Sequence, residues 1–150
     1  MIIRNMFFVL FLLLSFSAAA DLAVVVHPES PISVMSKRGA MKIYVGIKKR
    51  HVGGARIEII EQKDDSQIKL HFYKMVIGKS IASVKARWDS LLFSGEAMPP
   101  LVLSSDEEVI EAVSVNRYRI GYVDLKHVDD RVKIVLTINC TDCTGAEYTY

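Results

Sequence analysis

Leu22-Ala23-Val24-Val25-Val26-His27-Pro28 is the stretch on which the fold turns. The run is apolar without alternation and dominated by valine, so it reads as a strand with both faces covered, since a half-exposed strand would show polar residues at every second position. Pro28 ends it, because proline cannot donate to a ladder. A strand covered on both sides requires helices elsewhere in the chain, and the downstream sequence supplies them.

Ser36 is placed to cap a helix running through Tyr44, with Ala40, Met41 and Tyr44 on one stripe and Gly46 as its left-handed stop. A basic loop, Lys48 to His51, leads to the turn Gly53-Gly54 and a second strand over 56–60. The polar segment 62–66 then ends in Ser66, an N-cap for a helix carrying Ile68, Phe72 and Met75 and stopped by Gly78. Ser80 caps the next helix, where Ile81, Val84, Trp88, Leu91 and Leu92 form one face before Gly95. Phe72 and Trp88 stand at core spacing and, with Phe93, are read as packing residues.

Past Met98-Pro99-Pro100, a short strand over 101–103 meets the capping box Ser105-Asp106-Glu107-Glu108, which opens a helix with Val109, Ile110 and Val113 on its inner side. Residues 120–123 and 132–136 are two further strands. Strands alternating with helices define an α/β fold with a mixed, mostly parallel sheet flanked by helices.

Upstream, Arg4 precedes an apolar run from Met6 to Leu14 and the small residues Ala18-Ala19-Ala20, the layout of a secretory signal peptide with cleavage after Ala20. The run is shorter than the roughly 20 residues a membrane anchor needs, so no stable insertion is expected after cleavage. Residues 21–137 are expected to form one domain, and 138–150 a polar tail.

The chain carries 19 basic and 17 acidic residues, a formal charge of +2. These charges are scattered, which excludes the clustered positive footprint of a nucleic-acid binder. The histidines at 27, 51, 71 and 127 are dispersed and lack metal-ligand spacing. No nucleophile elbow, Walker loop or dinucleotide fingerprint is present, and the acid pairs are adjacent in sequence rather than opposed across a cleft. Neither enzyme activity nor a cofactor is expected.

The order of these motifs resembles the phosphate-binding proteins of ABC importers, in the periplasmic type-2 binding-protein superfamily. The resemblance is carried by Ile43-Tyr44-Val45-Gly46 with the basic loop, the polar turn and Ser66 before Phe72, the Trp88 helix, Ser105-Asp106 before Val109, and Arg119-Ile120-Gly121-Tyr122-Val123. It implies a periplasmic location, a binding-protein-like single lobe and the capture of phosphate or another small oxyanion for uptake. Full-length members grip the ligand between two lobes, whereas residues 21–137 resemble the second alone. Where the family has an arginine followed by Ser-Gly-Thr, this chain has Gln62 followed by Ser66, Gln67 and Ile68. Loss of the guanidinium removes a bidentate partner for an oxyanion, while the serine is kept.

The candidate ligand-binding residues are therefore Ser66, Gln67 and Gln62, at a helix start whose free N–H groups favour an anion. Ser30 and Ser33, beyond the first strand, are candidates for a second half-site. A lone lobe also exposes the surface its partner would cover, so an assembly module binding itself or an envelope protein through Lys48 to His51 is the alternative. Cys140 and Cys143 are expected to form a local or intermolecular disulfide in an oxidising compartment, with thiol redox chemistry a weaker third reading.

Overall fold

The computed structural model describes residues 20–140. Residues 1–19, on which nearly all of the expected signal peptide falls, and residues 141–150, with Cys143 and most of the expected tail, lie outside that range. Within it, β1 (Leu22–Val26), α1 (Lys37–Tyr44), β2 (Glu58–Gln62), α2 (Gln67–Phe72), α3 (Ile81–Phe93), β3 (Leu101–Leu103), α4 (Asp106–Ser114), β4 (Arg119–Asp124) and β5 (Lys133–Ile138) follow in order. The sheet order is β3-β2-β4-β1-β5. β2 is parallel to both β3 and β4, and β1 is antiparallel to β4 and β5, so every strand but β1 points the same way.

β1 sits inside the sheet with each of its residues at most 1% exposed, which is what its unbroken apolar run demanded. Its side chains alternate between two cores. Leu22, Val24 and Val26 join Tyr44, Phe72, Trp88 and Tyr122 on one face, while Ala23 and Val25 join Val109, Ile110 and Val113 of α4 on the other. Phe72 stacks on Tyr122 with centroids 4.0 Å apart, and Tyr44 meets both rings edge-on.

Gly121 lets α4 approach the sheet: a Cβ there would lie 2.6 Å from Val109 Cγ1. Gly46, at φ 75°, ends the α1 segment as a left-handed stop beneath Leu91. The serines at 36, 66, 80 and 105 all cap their helices, each accepting from a backbone N–H three residues on.

Three local expectations shift. β2 extends to Gln62 rather than ending at Ile60, because Glu61 and Gln62 find buried polar partners across the sheet. The helix after Ser66 is α-helical only to Phe72 and continues as a π-helical segment, Tyr73–Ile77, stopped by Gly78. On α3, Val84, Trp88 and Leu91 are buried, whereas Leu92 is 40% exposed and Phe93 88%, so neither belongs to the inner face. Among the described residues no helix is long and apolar enough to cross a membrane.

Candidate functional site

Because β2, β3 and β4 are parallel, their carboxyl ends share one pole, where α2 and α4 begin. Gln62, at the end of β2, is 3% exposed. Its Nε2 donates to Asp106 Oδ1 at 2.6 Å and to the Tyr122 carbonyl at 3.1 Å, and its Oε1 accepts from Ser66 Oγ at 3.0 Å. Ser66 Oγ in turn accepts from Lys69 N at 3.4 Å. The two candidates thus share one short network, and Gln67 beside them is exposed.

Asp106, in the first turn of α4, is the acceptor on which this pole converges. Besides Gln62, its Oδ2 takes the Asp124 N–H at 3.1 Å and lies 2.7 Å from His127 Nδ1. A side-chain amide, a backbone amide, an imidazole and the N-terminus of a helix are the donors an oxyanion would need. Here a carboxylate of the chain itself stands among them.

Beneath this network lies a buried charge cluster. Glu61 and Lys69 are each 3% exposed and pair at 2.9 Å. Tyr73 and Tyr122 donate their hydroxyls to the Glu61 carboxylate at 3.1 and 2.9 Å. Burial pushes the Glu61 carboxyl above the ordinary carboxylate range, although Lys69 and both hydroxyls pull the other way. The same desolvation, with Glu61 alongside, drives both phenols well up, so they stay protonated and donate to the carboxylate, while the Tyr122 hydroxyl also accepts from Gln62 N at 3.4 Å.

Lys69 also reaches Asp64 at 2.9 Å, and Lys85 meets that carboxylate at 2.7 Å. Hydrogen bonding to Lys85, then Lys69, holds Asp64 below its usual value. Asp64 is consequently neutralised by two lysines rather than adding free negative charge beside Ser66.

Ser30 and Ser33 do not join this site. β1 runs against its neighbours, so its carboxyl end lies at the opposite pole, beside the start of β4. There Ser30 is buried, its Oγ accepting from Ile32 N at 3.3 Å, and Ser33 is exposed in the loop. Cys140 is disulfide-bonded, and its N–H donates to Asp21 Oδ1 at 2.7 Å. No metal-holding group of His, Cys, Asp and Glu occurs among the described residues.

Asp106, Glu61, Lys69, Tyr122 and His127 were not among the residues expected at the site. Asp106 had a sufficient explanation in the capping box, and the remaining four are brought together by α2 and the turn after β4 packing at the ends of β2 and β4. A buried-side Glu61-Gln62 pair continuing an apolar strand was the one available signal.

No protein-family model matches this chain, and no curated protein matches it. Solved structures do. A phosphate ABC transporter substrate-binding protein from Clostridium perfringens with bound phosphate superposes with a TM-score of 0.64 at 19% identity, covering 79% of this chain and 46% of that one. An ABC-type phosphate transport receptor from Vibrio cholerae gives 0.61 at 22% identity, over 79% and 47%. PstS from Borrelia burgdorferi gives 0.59 at 22% identity, over 77% and 47%. The chain spans about half the length of each. The likeness is one of fold, that of a single periplasmic-binding-protein-like lobe.

Proposed function

We propose that this chain is an exported solute-binding module that holds a small oxyanion, phosphate-like in charge and shape, at the shared carboxyl ends of β2, β3 and β4. The observation that carries this reading is the convergence of donors at that pole: the Gln62 amide, the Asp124 N–H and His127 all lie within hydrogen-bonding distance of the one Asp106 carboxylate, in the first turn of α4. The fold likeness to phosphate receptors supports it, as does the kept serine at position 66.

The ligand would enter by displacing the Asp106 carboxylate, since that group now occupies the donors. With half the length of the matched receptors, the module would close its cleft against a second surface, as expected for periplasmic delivery to an ABC-type importer. Isothermal calorimetry with phosphate and sulfate tests this. Saturable heat at millimolar ligand or below is expected, and its absence for both anions overturns the reading.

A second reading rests on a specific observation. Gln62 and Ser66 spend their side-chain donors on Asp106, the Tyr122 carbonyl and each other. That is the arrangement of a lobe that keeps the fold but serves as an interaction module in the envelope. Retention of a stable envelope partner by a protein that gives no oxyanion heat would favour it.

A further inference from the structure

A cavity lies at the opposite pole, away from the strand-end network. β3 pairs with β2 only at Ile60, Glu61 and Gln62, and the Lys49–Arg50 segment flanks β2 only at its start, through Ile57 N to Lys49 O and the Arg50–Arg56 bridge. Between these two neighbours the sheet edge is interrupted beside Glu58 and Ile59. The gap is a notch of about 400 Å³, within the range of small-ligand pockets.

Its lining divides sharply in chemistry. Ile57, Ile59, Trp88 and Met98 provide an apolar floor. Trp88 Nε1 is already given to the Tyr44 carbonyl at 2.8 Å, which leaves only the ring to face a ligand. Four cations line the same space. Lys49 is paired with Glu96 and Arg119 with Glu58, but neither Arg50 nor Arg56 is in a salt bridge among the described residues. Arg50 satisfies one N–H on the Gly54 carbonyl at 2.7 Å, and backbone pairing sets it directly across from Arg56.

Like charges opposite one another on paired strands repel. A carboxylate between two guanidiniums would reverse that repulsion and offer each a bidentate acceptor. We propose that this notch binds a small carboxylate with an apolar body, of the arylalkanoate or medium-chain acyl kind, its head between Arg50 and Arg56 and its body over Ile59, Met98 and the Trp88 ring. Free phosphate, having no apolar part, would leave the floor uncovered. The site is independent of the strand-end pole, because it lies at the amino ends of β2 and β4.

Trp88 is the single tryptophan of the chain and therefore a built-in reporter. Titration of the purified protein with 4-phenylbutyrate, followed by Trp88 fluorescence and calorimetry, is expected to saturate below millimolar concentration. The uncharged 4-phenylbutyramide should bind at least about tenfold more weakly, as should the double variant Arg50→Ala/Arg56→Ala with unchanged far-UV circular dichroism. If the double variant loses that folded signal, Arg56→Gln alone decides, by the same weakening. No saturable change with phenylbutyrate, heat without a Trp88 response, equal binding of the amide, or undiminished binding by the folded variant would each overturn the proposal. Phosphate heats leave this outcome untouched in either direction.

Discussion

The two poles of the sheet handle charge in opposite ways. At the carboxyl pole, Glu61, Lys69, Gln62, Asp106 and the Tyr122 hydroxyl are buried or nearly so, and all are hydrogen-bonded to one another or to neighbours. At the amino pole, Arg50 and Arg56 stand exposed across a strand bridge, and among the described residues neither is in a salt bridge. The difference lies in desolvation. Buried polar groups must be satisfied within the chain, whereas exposed cations can wait for a ligand at little cost to the fold.

The contrast breaks first at Lys69. Lys69→Met leaves Glu61 buried without its cation, which is expected to lower unfolding free energy by about 3 kcal/mol in a denaturant titration. A loss below about 1 kcal/mol would mean that the two tyrosines alone satisfy the carboxylate. Next, Asp106→Ala should cost about 2 kcal/mol by stranding the Gln62 amide and the Asp124 N–H, while increasing oxyanion heat above wild type. Unchanged heat would show that Asp106 does not stand in the ligand's place.

Ser66→Ala removes a cap and one partner of Gln62 and is expected to lower stability by about 1 kcal/mol, read as a shifted denaturation midpoint. Arg50→Ala marks the other extreme, remaining within about 0.5 kcal/mol of wild type because its guanidinium holds no buried partner. A larger loss would erase the distinction between the poles.

Glu61 adds a pH test. Its folded value is raised above 4.5, so its contribution is fully present below that unfolded value, where both states hold the proton. As pH rises from there, the unfolded chain ionises first, and the contribution is lost by the time pH passes the raised folded value. Glu61→Gln should therefore flatten the stability profile over that window, measured as denaturation midpoints against pH. A profile as steep as wild type would assign the slope to another group.

Much of the fold was legible because its signals are local. Four serine caps, the glycines at 46 and 78, and the valine run of β1 each act through their own backbone or immediate neighbours, and each stands where expected. Errors fell where tertiary packing outweighs pattern. Leu92 and Phe93 continue an apolar series on α3, but the helix turns them outward once Trp88 and Leu91 fill the contact. Glu61 and Gln62 look like the polar end of a strand, yet Lys69, Tyr122 and Asp106 draw them inside.

The candidate site divides in the same manner. Ser66 and Gln62 were visible because a cap serine follows a strand in a family-like order, and the structure joins them in a single hydrogen bond. Ser30 and Ser33 were offered as a second half-site beyond the carboxyl end of the first strand. β1 is antiparallel, so they lie at the far pole.

By itself, the sequence determined the alternation of strands and helices, the capped helix starts and the absence of a concentrated charge, since periodicity, capping and composition are properties of neighbouring residues. Only the tertiary structure decided that Asp106 occupies the donors around Gln62, that Glu61 and Lys69 are buried together, and that Arg50 and Arg56 pair beside a notch. The Gln62–Asp106 contact joins residues 44 positions apart through strand order and direction, while Glu61–Lys69 and Arg50–Arg56 are near in sequence but meet only because a helix packs on the sheet and a turn folds the chain back on itself.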